Sequence, residues 1–268
     1  MKSDWSVADA VVRWQREHGR SALPWQNTRD PYRVWLSEIM LQQTQVATVK
    51  GYYARFLERF PDVRALAAAS EDAVLALWSG LGYYSRARNL HKAAGVVVAQ
   101  HGGAFPRTAA ELAQLPGVGR STAGAIAAFC YGERVPILDA NVRRVLARFL
   151  AFEEDLARAL SERVLWKRAS ELVPKSALDM PAYTQGLMDL GASLCTPRRP
   201  SCIVCPLEPA CAARRSGETE RFPIRSRTVL RKQETWWLLV LRDQAGRTWL
   251  HRRPAPGIWA GLYCTPVL

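Results

Sequence analysis

Residues 115–141, LPGVGRSTAGAIAAFCYGERVPILDAN, decide how the rest of the chain is interpreted. The stretch opens with a glycine-rich turn in which Gly117 and Gly119 flank Val118, and it continues into a helix of small residues predicted over 121–129. Glycine lets the backbone turn tightly and approach a ligand closely, and the N–H groups at a helix N-terminus favour a phosphate. The sequence therefore predicts a phosphate-binding turn, with a plain connection between helices as the alternative.

The same stretch closes on one carboxylate, Asp139. The apolar residues after it recur at helical spacing, at Val142, Val145, Leu146 and Phe149. Asp139 is therefore predicted at or just before the N-cap of an amphipathic helix. The helix dipole and the N–H donors there are expected to keep this carboxylate ionised, although most aspartates at such positions are only caps.

Composition points to a polyanionic partner. The chain has 268 residues, of which 49% are hydrophobic, so it can bury the core of one large or two modest domains. Lysine and arginine number 37 against 24 acidic residues, a formal net charge of +13. This balance favours nucleic acid first and an anionic membrane second. No apolar run approaches the length of a membrane span and no signal-peptide pattern precedes the first helix, so we expect no membrane association and a cytoplasmic location.

A second candidate carboxylate, Glu38, lies within a strongly apolar helix. Asp30 and Pro31 have the N-cap and first-turn pattern of a helix start, and the helical pattern continues to residue 60 with a break expected near Thr44 or Gly51. The neighbours of Glu38 on its helix face include valine, tryptophan and leucine. Such a site is poorly solvated and raises the pKa of a carboxyl, which suits a general acid near neutral pH. An exposed glutamate with no role is the alternative.

Aromatic and arginine side chains alternate in the loop GLGYYSRARN, residues 80–89. Tyr83, Tyr84, Arg86 and Arg88 suit stacking on bases and pairing with phosphates, with tyrosine packing in the core as the alternative. No convincing strand pattern occurs before residue 228, so this part of the chain is predicted to be all-α.

Four of the six cysteines lie in one short window, with the spacing C-x6-C-x2-C-x5-C. They are Cys195, Cys202, Cys205 and Cys211. This clustering favours metal ligation over disulfides, and the spacing leaves zinc and a [4Fe–4S] cluster both open. Residues 195–232 carry nine basic side chains against three acidic ones, which predicts a phosphate-binding surface beside the metal.

These motifs together resemble the helix-hairpin-helix DNA glycosylases that carry an iron–sulfur cluster, and among them the adenine-specific members. The resemblance rests on the following segments, together with the cysteine pattern: LPWQ (23–26), SEIMLQQTQV (37–46), GLGYYSRARN (80–89), LPGVGRSTAGAI (115–126) and LDANVRRV (138–145). It covers residues 5–228 in order.

The resemblance implies a mainly α, two-lobed helix-hairpin-helix glycosylase fold over residues 1–228. A six-helix lobe would span about 25–136, and a cluster lobe would combine 1–24 with 137–228 and hold the cluster loop, 195–211. The composition changes near residue 229, and the tail has the pattern of two strands around the Asp-Gln-Ala-Gly turn at 243–246. By resemblance, residues 229–268 would be a linker and the truncated start of a β-containing, NUDIX-like C-terminal domain.

The implied reaction is hydrolysis of the N-glycosidic bond of adenine mispaired with 8-oxoguanine or guanine in duplex DNA, leaving an abasic site. A base inside a duplex must be flipped out before it can react. By resemblance, Glu38 protonates the adenine, Asp139 stabilises the positive charge that develops on the sugar, and Asn141 hydrogen-bonds the sugar or the attacking water.

The resemblance also assigns residues around the flipped base. Trp25, Gln26, Leu41 and Val46 match positions lining the adenine pocket, and Gln43 and Tyr83 match residues that wedge into the base stack. Ser121 takes the position where the endonuclease III type of glycosylase has a lysine that attacks the sugar. Because a hydroxyl cannot form an imine, we expect base removal without strong lyase activity.

Three further expectations complete the resemblance. The amides of Gly117, Val118 and Gly119 would hold a DNA phosphate, with a monovalent cation at the hairpin. One structural or DNA-sensing [4Fe–4S] cluster would bind the four cysteines. The protein is expected to act on nucleoid DNA of a bacterium as a monomer.

Two competing interpretations remain at this stage. One is a bifunctional pyrimidine glycosylase, which Ser121 argues against. The other is a non-catalytic DNA-binding module that senses DNA or redox state through its cluster and has no need of the Glu38 and Asp139 pair. Because the family's C-terminal domain helps to recognise 8-oxoguanine, we also expect this chain to show a weakened preference for 8-oxoguanine over guanine.

Overall fold

The computed structural model describes residues 5–226, 233–254 and 257–268. The chain divides into two compact units, Met1–Arg227 and Thr228–Leu268. The described part of the first unit contains helices and no strands, which confirms the prediction of a mainly α fold. In chain order the α-helices are α1 (Val7–His18), α2 (Pro31–Leu41), α3 (Val46–Arg59), α4 (Val63–Ala68), α5 (Glu71–Trp78), α6 (Ser85–His101), α7 (Ala109–Leu112), α8 (Arg120–Tyr131), α9 (Ala140–Phe149), α10 (Ala159–Glu171), α11 (Met180–Ser193) and α12 (Ala212–Arg215). Short 3-10 turns occur at Ala177–Asp179, Cys202–Val204, Glu208–Ala210 and Thr219–Arg221.

The helix boundaries that bear on the site follow local capping chemistry. Asp30 is the N-cap of α2 and accepts a hydrogen bond from the Tyr32 amide at 2.9 Å, with Pro31 in the first turn. The break predicted near Thr44 is confirmed, whereas the helix continues through Gly51. α11 begins at Met180 with a proline in its first turn, where the residue needs no amide partner.

The core of the helices between α2 and α6 is aromatic. The rings of Trp35 and Phe105 lie 5.2 Å apart between centroids, and those of Phe56 and Trp78 lie 6.1 Å apart. Trp35 and Trp78 are completely buried, and burying side chains of this size dominates the energetics of a core. This core fixes the position of α2, the helix that carries Glu38.

A second hydrophobic core packs α1, α8, α9, α10 and α11 together. Two glycines of α11 permit its close contacts. A Cβ on Gly186 would lie 2.7 Å from Val11 Cγ1, and a Cβ on Gly191 would lie 2.6 Å from Asn141 Cβ. Because α11 approaches α9 this closely, it fixes the first turn of α9, where Asp139 is the cap.

The second unit is small and weakly ordered into strands. β1 (His251–Arg252) pairs antiparallel with β2 (Tyr263–Cys264), and isolated bridges join Leu238 to Val267 and Arg242 to Thr248. The Arg242–Thr248 bridge flanks the predicted turn, but continuous strands do not follow it among the described residues. Large apolar side chains such as Trp237 stay exposed in this unit, and strands without a core to pack on are marginal.

The NUDIX-like identity of this second unit stays a prediction, as do the bounds of the two lobes and of the cluster loop. The predicted start of the linker at residue 229 lies outside the described residues. Within the described ranges, no helix has both the length and the apolarity needed to cross a bilayer.

Candidate active site

Glu38 projects from the middle of α2 into the wall of a cleft. It is half-buried, and its neighbours Val34 and Trp35 are fully or almost fully buried. Removal from solvent and, to a smaller extent, the negative charge of Asp139 together raise the pKa of Glu38 to about 8. The expectation of a carboxyl with a raised pKa at this position is therefore confirmed.

Asp139 is the N-cap of α9, as predicted. Its Oδ1 accepts a hydrogen bond from the Val142 amide at 2.7 Å. The amides of Val142 and Asn141 lower its pKa, and so do the positive charges of Arg144 and Arg143, but burial outweighs them and the net shift of the Asp139 pKa is upward. The N–H donors predicted for this cap are present, but loss of solvent acts against them, and the ionisation of Asp139 stays a prediction.

The two carboxyl groups are close enough to influence each other. The charge of Asp139 is one of the causes of the raised pKa of Glu38, and the pKa of Asp139 is held down by amides that Glu38 lacks. The N–H donors at Asp139 favour its ionised form, whereas burial and the charge of Asp139 both favour the protonated form of Glu38.

The cleft beside Glu38 is large enough for a nucleobase. Its volume is about 1060 Å³ including its open mouth, and Trp25, Gln26 and Glu38 line it together. Trp25 is buried and meets the Tyr53 ring edge-on at 5.2 Å between centroids. Gln26 accepts a hydrogen bond from the Leu23 amide at 3.1 Å, and its buried Nε2 has no partner among the described residues. A buried donor without a partner is costly, so Nε2 is available to a ligand in the cleft.

The opposite wall of the cleft holds polar residues that the sequence analysis missed. Arg20 and Gln185 line the cleft, and both are held by Asp189, which is 2% exposed. Asp189 Oδ1 accepts hydrogen bonds from Arg20 Nε at 2.7 Å and from Gln185 Nε2 at 2.9 Å. A signal for them existed, since Gln185 and Asp189 are polar residues four apart in an otherwise apolar helix.

Four other predicted residues lie at the ends of their elements and do not belong to the lining of this cleft in the described structure. Leu41 ends α2 and Val46 begins α3, and both are half-buried. Gln43 and Tyr83 are exposed, and each has a positive φ, 57° and 47° respectively. An exposed side chain on a strained backbone position suits contact with a partner.

Asn141 and Ser121 hold the backbone around Asp139. Asn141 Oδ1 accepts a hydrogen bond from Arg144 Nη2 at 2.9 Å. Ser121 Oγ accepts one from the amide of Leu138 at 3.0 Å, which fixes the residue before Asp139. Ser121 therefore positions the backbone before Asp139, and Asn141 is tied through its side chain to Arg144 of the same helix.

The turn at residues 116–119 has the glycine geometry that the sequence predicts, but the amides it leaves open to a phosphate differ from the predicted ones. Gly117 has a φ of +75°, and a Cβ there would lie 2.7 Å from Asn89 Cβ. Gly119 is the N-cap of α8. The Val118 amide donates to the Leu115 carbonyl at 3.1 Å, so it is already used within the turn. The amides after Gly119, at the start of α8, are the ones a helix N-terminus leaves for an anion, and the predicted cation at this turn stays a prediction.

The loop that contributes Tyr83 also corrects one expectation. Arg86 was expected on a DNA-contacting surface, but it is 8% exposed and bonds the carbonyls of Ile39, Met40 and Gln42 at 2.5–3.0 Å. A buried guanidinium bonded to main-chain oxygens is unavailable to phosphates, because all these contacts lie inside the protein.

The four predicted ligand cysteines line one cavity of about 330 Å³. α9 holds the loop around it, because the buried guanidinium of Arg148 donates to Cys195 Sγ at 3.4 Å and to the Thr196 carbonyl at 2.6 Å. In the described part of the chain, no three His, Cys, Asp or Glu side chains form a group that could hold a metal ion. The donor set of four thiolates suits a zinc ion and an iron–sulfur cluster alike.

Comparison with known families defines the class of protein. Residues 36–171 match the model of the HhH-GPD superfamily of base excision DNA repair proteins. Among solved structures, a thermostable thymine-DNA glycosylase superposes with a TM-score of 0.70 at 28% identity, covering 78% of this chain and 95% of that one. A non-covalent endonuclease III–DNA complex shares the fold with a TM-score of 0.64 at 22% identity, over 78% of this chain and 94% of that one.

Two curated relatives narrow the class of protein to glycosylases that act on adenine. The adenine DNA glycosylase of Buchnera aphidicola from Acyrthosiphon pisum is 38% identical over 96% of this chain and 72% of its own length. The human adenine DNA glycosylase is 45% identical over 80% of this chain and 40% of its own length. The chain therefore belongs to the adenine DNA glycosylases.

Proposed function

We propose that this protein removes adenine mispaired with 8-oxoguanine or guanine from duplex DNA by hydrolysing the N-glycosidic bond. The observation that carries the proposal is the pair of unlike carboxyl groups. Glu38 has a pKa raised to about 8 in a base-sized cleft, partly by the charge of Asp139, and amide donors and two arginines favour the ionised form of Asp139. The family membership of the chain supports adenine as the base.

Glu38 would act as the general acid. Adenine is a poor leaving group as an anion, so a proton must reach the ring, at N7, as the bond breaks. A carboxyl group with a pKa near 8 is protonated at neutral pH and is still acidic enough to give the proton away in the transition state. The half-buried position of Glu38 in the cleft wall allows it to meet a flipped base.

Asp139 would stabilise the positive charge that appears on the sugar as adenine leaves, either electrostatically or by a transient covalent link. The hydrogen bond from the Val142 amide holds the carboxylate of Asp139, and Ser121 holds the backbone of the preceding residue, Leu138. Asn141, the second residue of α9, would hydrogen-bond the sugar or the attacking water. Trp25, which lines the cleft, would form the apolar surroundings of the base.

The polar atoms of the cleft fit the hydrogen-bonding edge of adenine. The Gln185 amide nitrogen is held by Asp189, so its oxygen is left to accept from the exocyclic amino group of the base. The unpaired Gln26 Nε2 can donate to a ring nitrogen. A base with a carbonyl in place of the amino group would leave the Gln185 oxygen unpaired. The free-energy cost of that unpaired acceptor would make the cleft select against such a base.

DNA binding would follow from the net charge of +13, the α8 N-terminus behind Gly119 and the wedge residues Gln43 and Tyr83. We propose that the protein binds as a monomer, and the bacterial relatives support a cytoplasmic protein acting on nucleoid DNA.

Cys195, Cys202, Cys205 and Cys211 would hold one [4Fe–4S] cluster. The cluster would supply a structural or DNA-sensing group, and Arg148 would hold the loop in place beside it. Iron and acid-labile sulfide in about fourfold molar amounts per chain, with no zinc, are the expected analysis. Zinc in place of iron would overturn this assignment.

The central test is single-turnover release of adenine from duplexes with adenine opposite 8-oxoguanine or opposite guanine. We expect release from both, and strand cutting only after alkali treatment, because Ser121 offers no amine. Strand cutting without alkali would contradict the monofunctional reaction and favour the bifunctional type. DNA binding with no release from either duplex would favour a non-catalytic module.

A further inference from the structure

One buried cation joins the two segments that carry the exposed residues Gln43 and Tyr83. Arg86 lies in the first turn of α6 and is 8% exposed. Its guanidinium contacts the end of α2 on one side and the 79–84 loop on the other, segments that lie some forty residues apart in the chain.

On the first side, Arg86 completes the C-terminus of α2. Its Nη1 donates to the carbonyls of Ile39 at 3.0 Å, Met40 at 2.9 Å and Gln42 at 2.5 Å. These belong to the last carbonyls of the helix, which have no partner within it, and a positive charge is favourable at that end. The residue immediately after them is Gln43, whose backbone is left-handed at φ 57°.

On the second side, Arg86 fixes the loop before α6. Its Nη2 donates to the carbonyls of Leu81 and Gly82, both at 3.2 Å, and to Thr44 Oγ1 at 3.1 Å. The guanidinium also lies 5.6 Å from the centroid of the Tyr83 ring, within cation–π range. Tyr83 is itself left-handed at φ 47° and 58% exposed.

The same nitrogen therefore bridges both segments, since Thr44 follows Gln43 and Gly82 precedes Tyr83. Left-handed conformations of non-glycine residues are strained and persist only where the surroundings impose them. In both cases the neighbouring main-chain oxygens or hydroxyl are bonded to Arg86, so one side chain holds the two strained positions in one relative geometry.

We propose that Arg86 is a positioning residue for base extrusion, which holds Gln43 and Tyr83 together as one rigid wedge. The inference rests on the proposed function, because it assumes that these two residues enter the base stack. A wedge must resist the stacking energy of the duplex, and disruption of a base step costs a few kcal/mol. A preorganised pair loses less free energy on binding than two loops that must order separately.

Lysine cannot replace this arrangement. Its ammonium has three donors from one point, whereas the planar guanidinium reaches two segments at once with a fixed fork. Arg86→Lys keeps the charge but should release one of the two segments.

The experiment compares two duplexes of the same sequence in single-turnover adenine release by the full chain. In one duplex adenine is paired opposite guanine, and in the other it lies opposite a stable abasic analogue, where no partner base holds it. We expect Arg86→Lys to slow release from the paired duplex at least about tenfold more than from the unpaired one, since about 1.4 kcal/mol of extrusion energy corresponds to a factor of ten. Thr44→Val removes one acceptor of the Arg86 guanidinium and should also slow release more from the paired duplex, by a smaller factor. It replaces Arg86→Lys in the test if that variant does not fold.

The matched control is Leu66→Ala, which leaves a hole in the core at a fully buried position of α4. It should slow release from both duplexes by equal factors if it slows release at all. Equal slowing of both duplexes by Arg86→Lys and Thr44→Val would show that Arg86 only supports the fold and would overturn the proposal.

A second readout does not depend on excision. With 2-aminopurine in place of the target adenine and Glu38→Gln as the parent chain, binding should raise the fluorescence as the base leaves the stack, and adding Arg86→Lys should remove most of that rise. A full rise in the double variant would overturn the proposal. If the unchanged chain releases no adenine from any duplex, the proposed function fails, and this fluorescence comparison still decides the role of Arg86.

Discussion

The middle of α2 and the N-terminus of α9 each carry one carboxyl group of the proposed reaction, but they offer it different hydrogen-bond donors. Glu38 lies where every nearby amide is already used within the helix, and none of the described residues donates a hydrogen bond to its carboxyl group. Asp139 lies where the helix leaves its first amides open, and it accepts from Val142 at 2.7 Å.

Burial acts on both groups and raises both pKa values. Amide donors and two arginines oppose it at Asp139, whereas the charge of Asp139 acts on Glu38 in the same direction as burial. The comparison shows that position along a helix can divide one acid pair into a proton donor and an anion.

Glu38→Gln tests the donor side of the comparison and should have the largest effect. The amide keeps the shape of the side chain but cannot release a proton, so adenine release should fall about 10²- to 10⁴-fold. Affinity for the mismatched duplex, measured by fluorescence anisotropy, should stay within about twofold of that of the original chain, because the substitution changes only the group that transfers the proton. This corresponds to a change of less than about 0.5 kcal/mol in the binding free energy. Loss of binding in step with activity would recast Glu38 as a structural residue.

The same substitution should stabilise the fold near neutral pH. A glutamate whose pKa is raised from 4.5 to about 8 in the folded protein favours folding below the unfolded pKa, and this contribution is lost as the pH rises from about 4.5 to 8. Removing the titrating group at pH 8 should therefore raise the free energy of unfolding by on the order of 2 kcal/mol, a figure reduced by the part of Glu38 that faces the cleft. A chain that is less stable after Glu38→Gln at pH 8 would contradict the raised pKa.

Asp139→Asn tests the anionic side, with Asp139→Ala as its partner. Asparagine caps a helix as well as aspartate does, and the raised pKa of Asp139 means that losing its charge costs no stability. The variant should therefore be at least as stable as the original chain, while adenine release falls about 10²- to 10³-fold from the loss of the charge. Alanine should lose the same activity and a further ~1 kcal/mol of stability from the missing cap. Thermal unfolding and single-turnover release on both variants separate the two losses, and unchanged release by the asparagine variant would make Asp139 only a cap.

The pH dependence of release joins the two sides. Release requires Glu38 protonated and Asp139 ionised, so the rate should fall above about pH 8, by up to tenfold per pH unit. On the acid side it should fall at a pH above the ordinary range of an aspartate, because burial raises the pKa of Asp139. Single-turnover rates between pH 4 and 10 should give the bell-shaped profile that an essential acid and an essential base produce together, and a rate still rising above pH 9 would exclude Glu38 as the donor.

Much of this arrangement follows from local sequence. The N-cap role of Asp139 and the break between α2 and α3 depend on residues within one or two turns, and both predictions are confirmed. The raised pKa of Glu38 was predictable for the same reason, because its own helix supplies the apolar neighbours.

Contacts between distant segments were not predictable in this way. Asp189 binds Arg20 across 169 residues of chain, and Arg86 binds α2 across more than forty. In both cases the sequence shows only an arginine, which is ordinarily solvent-exposed. The net direction of the Asp139 pKa also depends on how much protein covers it, and no local motif gives that amount.

Ser121→Ala should have the smallest effect, and it tests the support of Asp139 without changing that of Glu38. The substitution removes the acceptor for the Leu138 amide, at 3.0 Å in this structure. An amide left unpaired in a buried segment costs about 1–3 kcal/mol of stability, and the freed backbone lets Asp139 move, so we expect adenine release to fall roughly three- to tenfold, the equivalent of about 1 kcal/mol.

Because α2 is untouched, the alkaline limb of the pH profile should stay in place while the maximum rate falls. Ser170→Ala is the matched control, since its hydroxyl donates to the Trp166 carbonyl at 3.0 Å within α10, and it should leave both the rate and the profile unchanged. If Ser121→Ala shifted the alkaline limb, the two carboxyl groups would depend on one common support, and the division between a proton donor on α2 and an anion on α9 would have to be abandoned.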